Sequence, residues 1–244
     1  MEFWGIIMHM KYKHLFFDMD GTVSLTRNKI TPEMKLTLQQ YIDDGIDIII
    51  VSGSHNEQMT YQMDGVPVLK MGQNGNHAEH ETEGEIWCEI LTPEQKSKIT
   101  EHTKAVWAEC SHVVPNEDDL FEDRGSQISF SLYGHNANVV EKKAFDGDFM
   151  KRKALLEKVP YECDETEVKI GGSTTFDYFK KGYNKGYNID KIITHYGWNK
   201  EDCLFYGDAL FPGGNDETVV GVIETVAVED EEDCLEKLKD LRNT

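Results

Sequence analysis

Basic residues are scarce in this sequence: 25 lysines and arginines stand against 45 aspartates and glutamates, for a formal net charge of −20. The shortage argues against a nucleic-acid or anionic-membrane partner, since both attract positive surfaces. It also repels anionic substrates, so a phosphate site here needs local cationic charge. Paired cysteines are lacking as well. Cys88, Cys110, Cys163, Cys203 and Cys234 are odd in number, scattered and never spaced as CxxC, so neither a disulfide framework nor a zinc motif is signalled. Reduced thiols in a cytoplasmic protein are the expectation. No run approaches the ~20 apolar residues of a membrane span. The apolar stretch at residues 3–8 is too short for a signal core and lacks a basic start. Repeats and low-complexity tracts are absent.

What remains is a globular composition, 39% apolar and 29% charged, in 244 residues, enough for one large domain or two modest ones. Three apolar runs end abruptly in polar or glycine-rich turns. His14-Leu15-Phe16-Phe17 leads into Asp18, Ile48-Ile49-Ile50-Val51 into Ser52-Gly53, and Cys203-Leu204-Phe205-Tyr206 into Gly207-Asp208. Runs without polar alternation read as strands buried on both faces of a parallel sheet. Between the first two, Thr31 caps a helix with Pro32 at its first position, Met34, Leu38, Tyr41 and Ile42 on one face, and Gly45 closing it. Strand, helix, strand is a right-handed crossover, and ligands of such sheets bind at the carboxyl ends of the strands. The three turns are therefore expected to converge.

The middle of the chain differs. Thr92-Pro93-Glu94 opens a long helix carrying Ile99, Val106, Trp107 and Cys110. Ile128, Phe130 and Leu132 alternate with Ser129, Ser131 and Tyr133, the pattern of a half-buried antiparallel strand. A basic helical stretch at residues 149–159 and another alternating strand near residues 174–179 complete an α+β unit. The expected fold is α/β, a Rossmann-like core of residues 1–83 and 182–244 with an inserted α+β unit at residues 84–181. Residues 230–240 read as a solvated terminal helix.

Asp18-Met19-Asp20-Gly21-Thr22 carries the strongest chemical signal. Two carboxylates two residues apart after a buried strand share a crevice and repel one another unless a cation intervenes. One can attack phosphorus while the other moves a proton. Gly207-Asp208 with Gly213-Gly214-Asn215-Asp216 supplies a second acidic loop. Mg2+ takes octahedral oxygen ligands, and Asp18, the backbone carbonyl of Asp20, and Asp208 can provide them with Asp216 or Asn215 in support. Ser52 and the Gly53 amide can hold a phosphate oxygen, helped by a helix starting near Asn56. Lys185 can offset the charge of two carboxylates and a phosphate. Taken alone, Ser52 reads as a turn residue and Lys185 as an exposed helix start.

In this order, the four elements resemble the haloacid dehalogenase superfamily of phosphotransferases. The resemblance implies that Asp18 becomes phosphorylated, Asp20 is the acid/base, Ser52, Gly53 and Lys185 bind phosphate, and Asp208 helps hold Mg2+. Insertion between the serine and the lysine resembles the IIB subfamily, which has a large α+β cap. Within it, Arg27, Gly75 in Gln73-Asn74-Gly75, Gly171-Gly172, Thr175-Phe176-Asp177 and Gly182-Tyr183-Asn184-Lys185 are similar to motifs of the eukaryotic-type phosphomannomutase family.

Arg27, Arg124, His135, Thr175 and Asp177 are the substrate contacts that this likeness implies. The cap of that family grips a second phosphate with several arginines. Here Arg124 remains, His135 stands where the next is expected, and Lys142 where the third falls; neither offers a guanidinium's bidentate fork. A weak distal grip favours water as the acceptor, so a phosphatase of a small phosphorylated sugar is expected. A phosphohexomutase working through a bisphosphate is the alternative, and a non-catalytic sugar-phosphate binder the third. Oligomeric state stays open, with a homodimer through the cap as a candidate.

Overall fold

The structure is a computed structural model describing residues 11–110, 112, 114 and 116–243. The apolar stretch at residues 3–8 lies outside them. A seven-stranded sheet runs in the order β11 (Glu224–Ala227), β10 (Cys203–Gly207), β1 (His14–Phe17), β2 (Asp47–Val51), β3 (Leu69–Gly72), β4 (His77–His80) and β5 (Gly84–Cys88). The first five are mutually parallel, and β4 and β5 add an antiparallel edge. The sequence division at residue 84 therefore cuts through this sheet, because residues 84–88 pair with β4. That hairpin was not anticipated.

Alternate residues of the central strands feed two cores. Leu15, Phe17, Ile48, Ile50, Leu204 and Tyr206 pack with α1 (Pro32–Asp43), α2 (Asn56–Met63) and α7 (Glu231–Arg242). Phe16, Ile49, Val51, Met71 and Phe205 pack with Ile189, Ile192 and Ile193 of α6 (Lys185–Tyr196). Burial on both faces is why these strands are unbroken apolar runs. Thr31 caps α1, accepting from Met34 N, and Gly45 follows with φ +82°. The terminal helix α7 is docked, not solvated as its charged sequence suggested. Cys234 and Leu238 are fully buried, and the Tyr41 hydroxyl donates to Leu238 O at 2.7 Å.

The second sheet is antiparallel, in the order β6 (Phe121–Asp123), β7 (Gln127–Ser131), β9 (Thr175–Lys180), β8 (Thr166–Gly171). Its apolar face, with Ile128, Phe130, Phe176 and Tyr178, packs on Ile99 and Val106 of α3 (Pro93–Ala108). A capping box at Thr92 and Gln95 starts α3. Two further helices, α4 (Val139–Asp146) and α5 (Met150–Lys158), lie before β8; α4 was not expected. β7 departs from its half-buried pattern: all five residues are buried. Ser129 and Ser131 alternate with apolar neighbours because their face meets polar partners rather than water. Ser129 Oγ donates to Asp177 Oδ1 at 2.6 Å, and Ser131 Oγ lies 3.0 Å from Thr174 Oγ1. Among the described residues, no helix is long and apolar enough to cross a membrane.

Candidate active site

The sheet register delivers the acidic loops to one end. Phe17 pairs with Tyr206 and Ile50, so Asp18, Gly207 and Val51 leave their strands side by side. Asp18 N donates to Tyr206 O at 2.9 Å, which fixes the first residue of the loop. The chain then turns tightly, with Gly21 at φ +87°. A Cβ on Gly21 would lie 2.8 Å from Asp208 Oδ2, so glycine lets the two acidic loops close on one another. Gly207 in turn lets Asp216 fold back within its own loop, since a Cβ there would meet Asp216 Oδ2 at 2.4 Å.

Lys185, the first residue of α6, is fully buried with Nζ 2.6 Å from Asp18 Oδ1 and 2.7 Å from Asp216 Oδ1. It is no exposed helix start. Burial alone would depress the ammonium, but Asp18 and Asp216 outweigh it and hold its pKa above the usual lysine value. Each of Asp18, Asp208 and Asp216 offers a carboxylate oxygen within 4.8 Å of the others. Burial first, then repulsion from Asp18 and Asp216, pushes Asp208 up to about 7. Burial, with Asp18 adding repulsion, pushes Asp216 up to about 6 despite Lys185. Three carboxylates and one ammonium leave negative charge in excess. An all-oxygen donor set with surplus negative charge fits a hard divalent cation such as Mg2+.

The Asp20 carboxylate stands outside that cluster. Arg27 N and Gln62 Nε2 both donate to its Oδ1 at 2.9 Å. Burial raises its pKa, opposed by those two hydrogen bonds. Gln62 went unnoticed in the sequence, although Met59, Gln62 and Met63 keep the spacing of a buried helix face, where a glutamine needs a polar partner. Ser52 is buried at the end of β2, and its Oγ accepts from Ser54 N at 3.0 Å. α2 begins just beyond, capped by His55. Facing it, Gln73, Asn74 and Gly75 have φ of 55°, 60° and 86°, a left-handed run that costs about 1–3 kcal/mol per non-glycine residue and is held by its surroundings. Asn74 N donates to Ser52 O at 2.7 Å, which ties this turn to the Ser52 loop.

The antiparallel unit closes over these tips. Arg124 Nη1 donates to Gly53 O at 2.7 Å, and Asn74 Nδ2 donates to Gln127 Oε1 at 2.7 Å. Between the layers lies a cavity of about 560 Å³ lined by Asp18, Asp20, Ser52, Gly53, Asp208 and, from the other side, Arg124, His135, Thr175 and Asp177. Arg27 and Lys142 line it as well. The carboxylate, phosphate-binding and substrate candidates named from the sequence thus border this cavity, except Asp216 and Lys185, which lie just behind Asp18.

Glu122 organises the upper wall and was overlooked in an acidic stretch. Its Oε2 accepts from Arg124 Nε and Nη2 at 3.0 and 2.6 Å, and its Oε1 from Arg27 Nη2 at 3.3 Å. Burial works to raise its pKa, but Arg124, His135 and Arg27 prevail and hold it at about 2. His135, buried and with Nε2 3.2 Å from Ser129 O, is lowered to about 4, chiefly by burial. Lys142 is lowered by burial and by Arg27, and its Nζ donates to His135 O at 3.0 Å. Burial raises the Asp177 carboxyl. The loop at Gly171 is held from beneath by the fully buried Arg152, whose Nη1 donates to Gly171 O, Gly172 O and Thr175 O and whose Nε donates to Asp146 Oδ2. Arg152 too was missed, because its helix reads as basic and solvated.

Fold and site together define a class: an α/β core with a carboxylate–lysine centre at its parallel strand tips, beneath an α+β cap. A family model described as haloacid dehalogenase-like hydrolase matches residues 15–218, and the chain belongs to that family of enzymes. Among relatives, the phosphomannomutase of Drosophila melanogaster is 26% identical over 226 residues, covering 87% of this chain and 88% of that one. The phosphomannomutase of Schizosaccharomyces pombe is 26% identical and covers 94% of each chain. A haloacid dehalogenase-like hydrolase from Bacteroides thetaiotaomicron superposes with a TM-score of 0.63 at 13% identity, covering 95% of this chain and 100% of that one. This last likeness shows the fold alone.

Proposed function

We propose that this chain is a Mg2+-dependent phosphatase of small sugar phosphates acting through an aspartyl-phosphate on Asp18. One juxtaposition carries the reading. Asp18 is oriented by Lys185 beside Asp208 and Asp216, while Asp20, two residues on, is held apart with a raised pKa. Mg2+ held by Asp18, the Asp20 carbonyl and Asp208, with Asp216 behind, would neutralise the phosphoryl oxygens as charge moves onto the leaving group.

In this scheme the Asp18 carboxylate attacks phosphorus. The leaving alcohol takes its proton from Asp20, which its raised pKa suits to the task. Water then attacks the aspartyl-phosphate and gives its proton back to Asp20. Ser52 and the Gly53 amide hold phosphoryl oxygens while Lys185, behind Asp18, offsets their charge, so the protein acts mainly by positioning and charge neutralisation. Thr175 and Asp177 suit sugar hydroxyls, and the cap excludes bulk water. The five free cysteines fit a cytoplasmic enzyme.

A mutase reading has its own support, in the relatives named phosphomannomutase and in the retained Arg124. What favours hydrolysis is the charge balance of the upper wall. His135, at about 4, is neutral at physiological pH, and Glu122 already engages Arg27 and Arg124. The distal grip on a bisphosphate is correspondingly weak. A panel of hexose phosphates separates the two: inorganic phosphate release is expected, with little interconversion of hexose 1- and 6-phosphates when hexose bisphosphate is added. Isomerisation faster than phosphate release would reverse the assignment.

A further inference from the structure

Outside the catalytic cavity, the edge hairpin β4–β5 gathers one imidazole, one carboxylate and one thiol. His77 and Cys88 are directly opposed across the two strands. Glu85 is three residues from Cys88 and in a regular strand would face the other way. The register slips here, however: Ala78 opposes Trp87 while Glu79 opposes Glu85, leaving Ile86 as an extra residue. Such a bulge re-aims side chains. As a result, potential ligand atoms of His77, Glu85 and Cys88 all lie within 4.8 Å of one another. His77 Nε2 and Glu85 Oε2 are 3.3 Å apart.

We propose that His77, Glu85 and Cys88 form a second metal site, for a borderline transition ion of the Zn2+ or Co2+ type. The donor chemistry separates it from the catalytic cluster, which offers oxygen alone. Thiolate and imidazole suit Zn2+ and are poor ligands for Mg2+. Tetrahedral bonds of about 2.0–2.3 Å put neighbouring ligand atoms about 3.3–3.6 Å apart. The His77–Glu85 pair already has that spacing, and the Cys88 thiol lies within 4.8 Å of both. Three protein ligands leave a fourth position for water. Glu79 of the hairpin is paired with Lys70, but Glu81 and Glu83 add negative charge and the hairpin has no lysine or arginine of its own.

The site lies where the chain leaves the larger sheet. Cys88 Sγ is 3.6 Å from Ser126 Oγ of the antiparallel unit. Next in sequence, Glu89 accepts from Lys180 Nζ at 3.0 Å and from Lys191 Nζ at 2.9 Å. Thiolate ligation would draw Cys88 from Ser126 towards His77, within the larger sheet.

The test is titration of the full chain with Co2+ in saturating Mg2+, read by absorption. One equivalent should produce a thiolate-to-cobalt charge-transfer band that Zn2+ abolishes by displacement. Cys88→Ser should remove the band. His77→Ala and Glu85→Gln should each weaken binding by about tenfold or more. Asp208→Asn should leave the band intact, and Mg2+-dependent turnover should be unchanged in the three hairpin variants. Absence of a band, its survival in Cys88→Ser, or its loss in Asp208→Asn would overturn the proposal.

Discussion

The strand tips and the cap wall solve opposite electrostatic problems with the same residue types. At the tips, acid is in excess: Asp18, Asp208 and Asp216 face a single buried Lys185, and Asp208 and Asp216 are pushed up to about 7 and about 6. Around Glu122 on the cap wall, base is in excess: Arg124 and Lys142 of the cap, with Arg27 reaching across from the core, surround this one carboxylate, which is pushed down to about 2. The first arrangement fits a cation together with a reactive carboxylate. The second keeps cationic charge near a substrate yet caps it with an internal anion, which limits how firmly a second phosphate can be held. Under the proposed function, chemistry belongs to the tips and selectivity to the cap wall, two layers joined by contacts such as Arg124 to Gly53 O.

That separation can be broken experimentally, and the largest effect belongs to the tips. Asp18→Asn should lower phosphate release from any phosphomonoester by at least about a thousandfold, because no other group replaces the nucleophile. Initial rates in saturating Mg2+ check this, and a variant retaining a tenth of the activity would remove Asp18 from its role. Lys185→Met should also abolish turnover, and it should lower stability by about 3–5 kcal/mol by leaving buried carboxylates without their cation. Urea unfolding reads the second effect; an unchanged midpoint would show that Lys185 is not needed for the acidic cluster to fold.

On the cap side, His135 predicts a pH dependence. An unfolded histidine titrates near ~6.5, whereas burial holds His135 at about 4, so the native state binds fewer protons between those values. Its contribution is complete above ~6.5 and is lost as pH falls towards 4. Going from about pH 7 to about pH 5 should cost on the order of 2 kcal/mol, seen in unfolding midpoints, and His135→Asn should flatten that slope. An identical slope in the variant would contradict the burial argument. The smallest effect is expected for Glu122→Gln, which frees Arg27 and Arg124. Inhibition by a hexose bisphosphate should tighten by about tenfold, while hydrolysis of a small phosphomonoester changes little. Equal changes for both ligands would mean that the layers are not separable.

The sequence was more transparent for one layer than for the other, and the reason is physical. Strands buried on both faces leave continuous apolar runs, so β1, β2 and β10 and the loops after them could be located directly. Lys185 and Ser52 were legible only through their order relative to those loops. The cap wall depends on side chains that meet across elements. Glu122 is one acid among many, Gln62 sits on a short polar helix, and Arg152 lies in a stretch that looks solvated, yet each is fixed by partners far away in the chain. The hairpin β4–β5 is not legible because its strands are short and polar, and α7 reads as a surface helix because only Cys234, Leu235 and Leu238 turn inward.

The central claim is that Asp18 itself becomes phosphorylated. Rapid mixing with a phosphomonoester and Mg2+, an acid quench and mass analysis of the peptide containing residue 18 test it most directly. The account predicts a phosphoryl group on Asp18 during turnover, absent from Asp18→Asn. Steady hydrolysis with that peptide unmodified at every time point, or with the phosphoryl group on another residue, would contradict it.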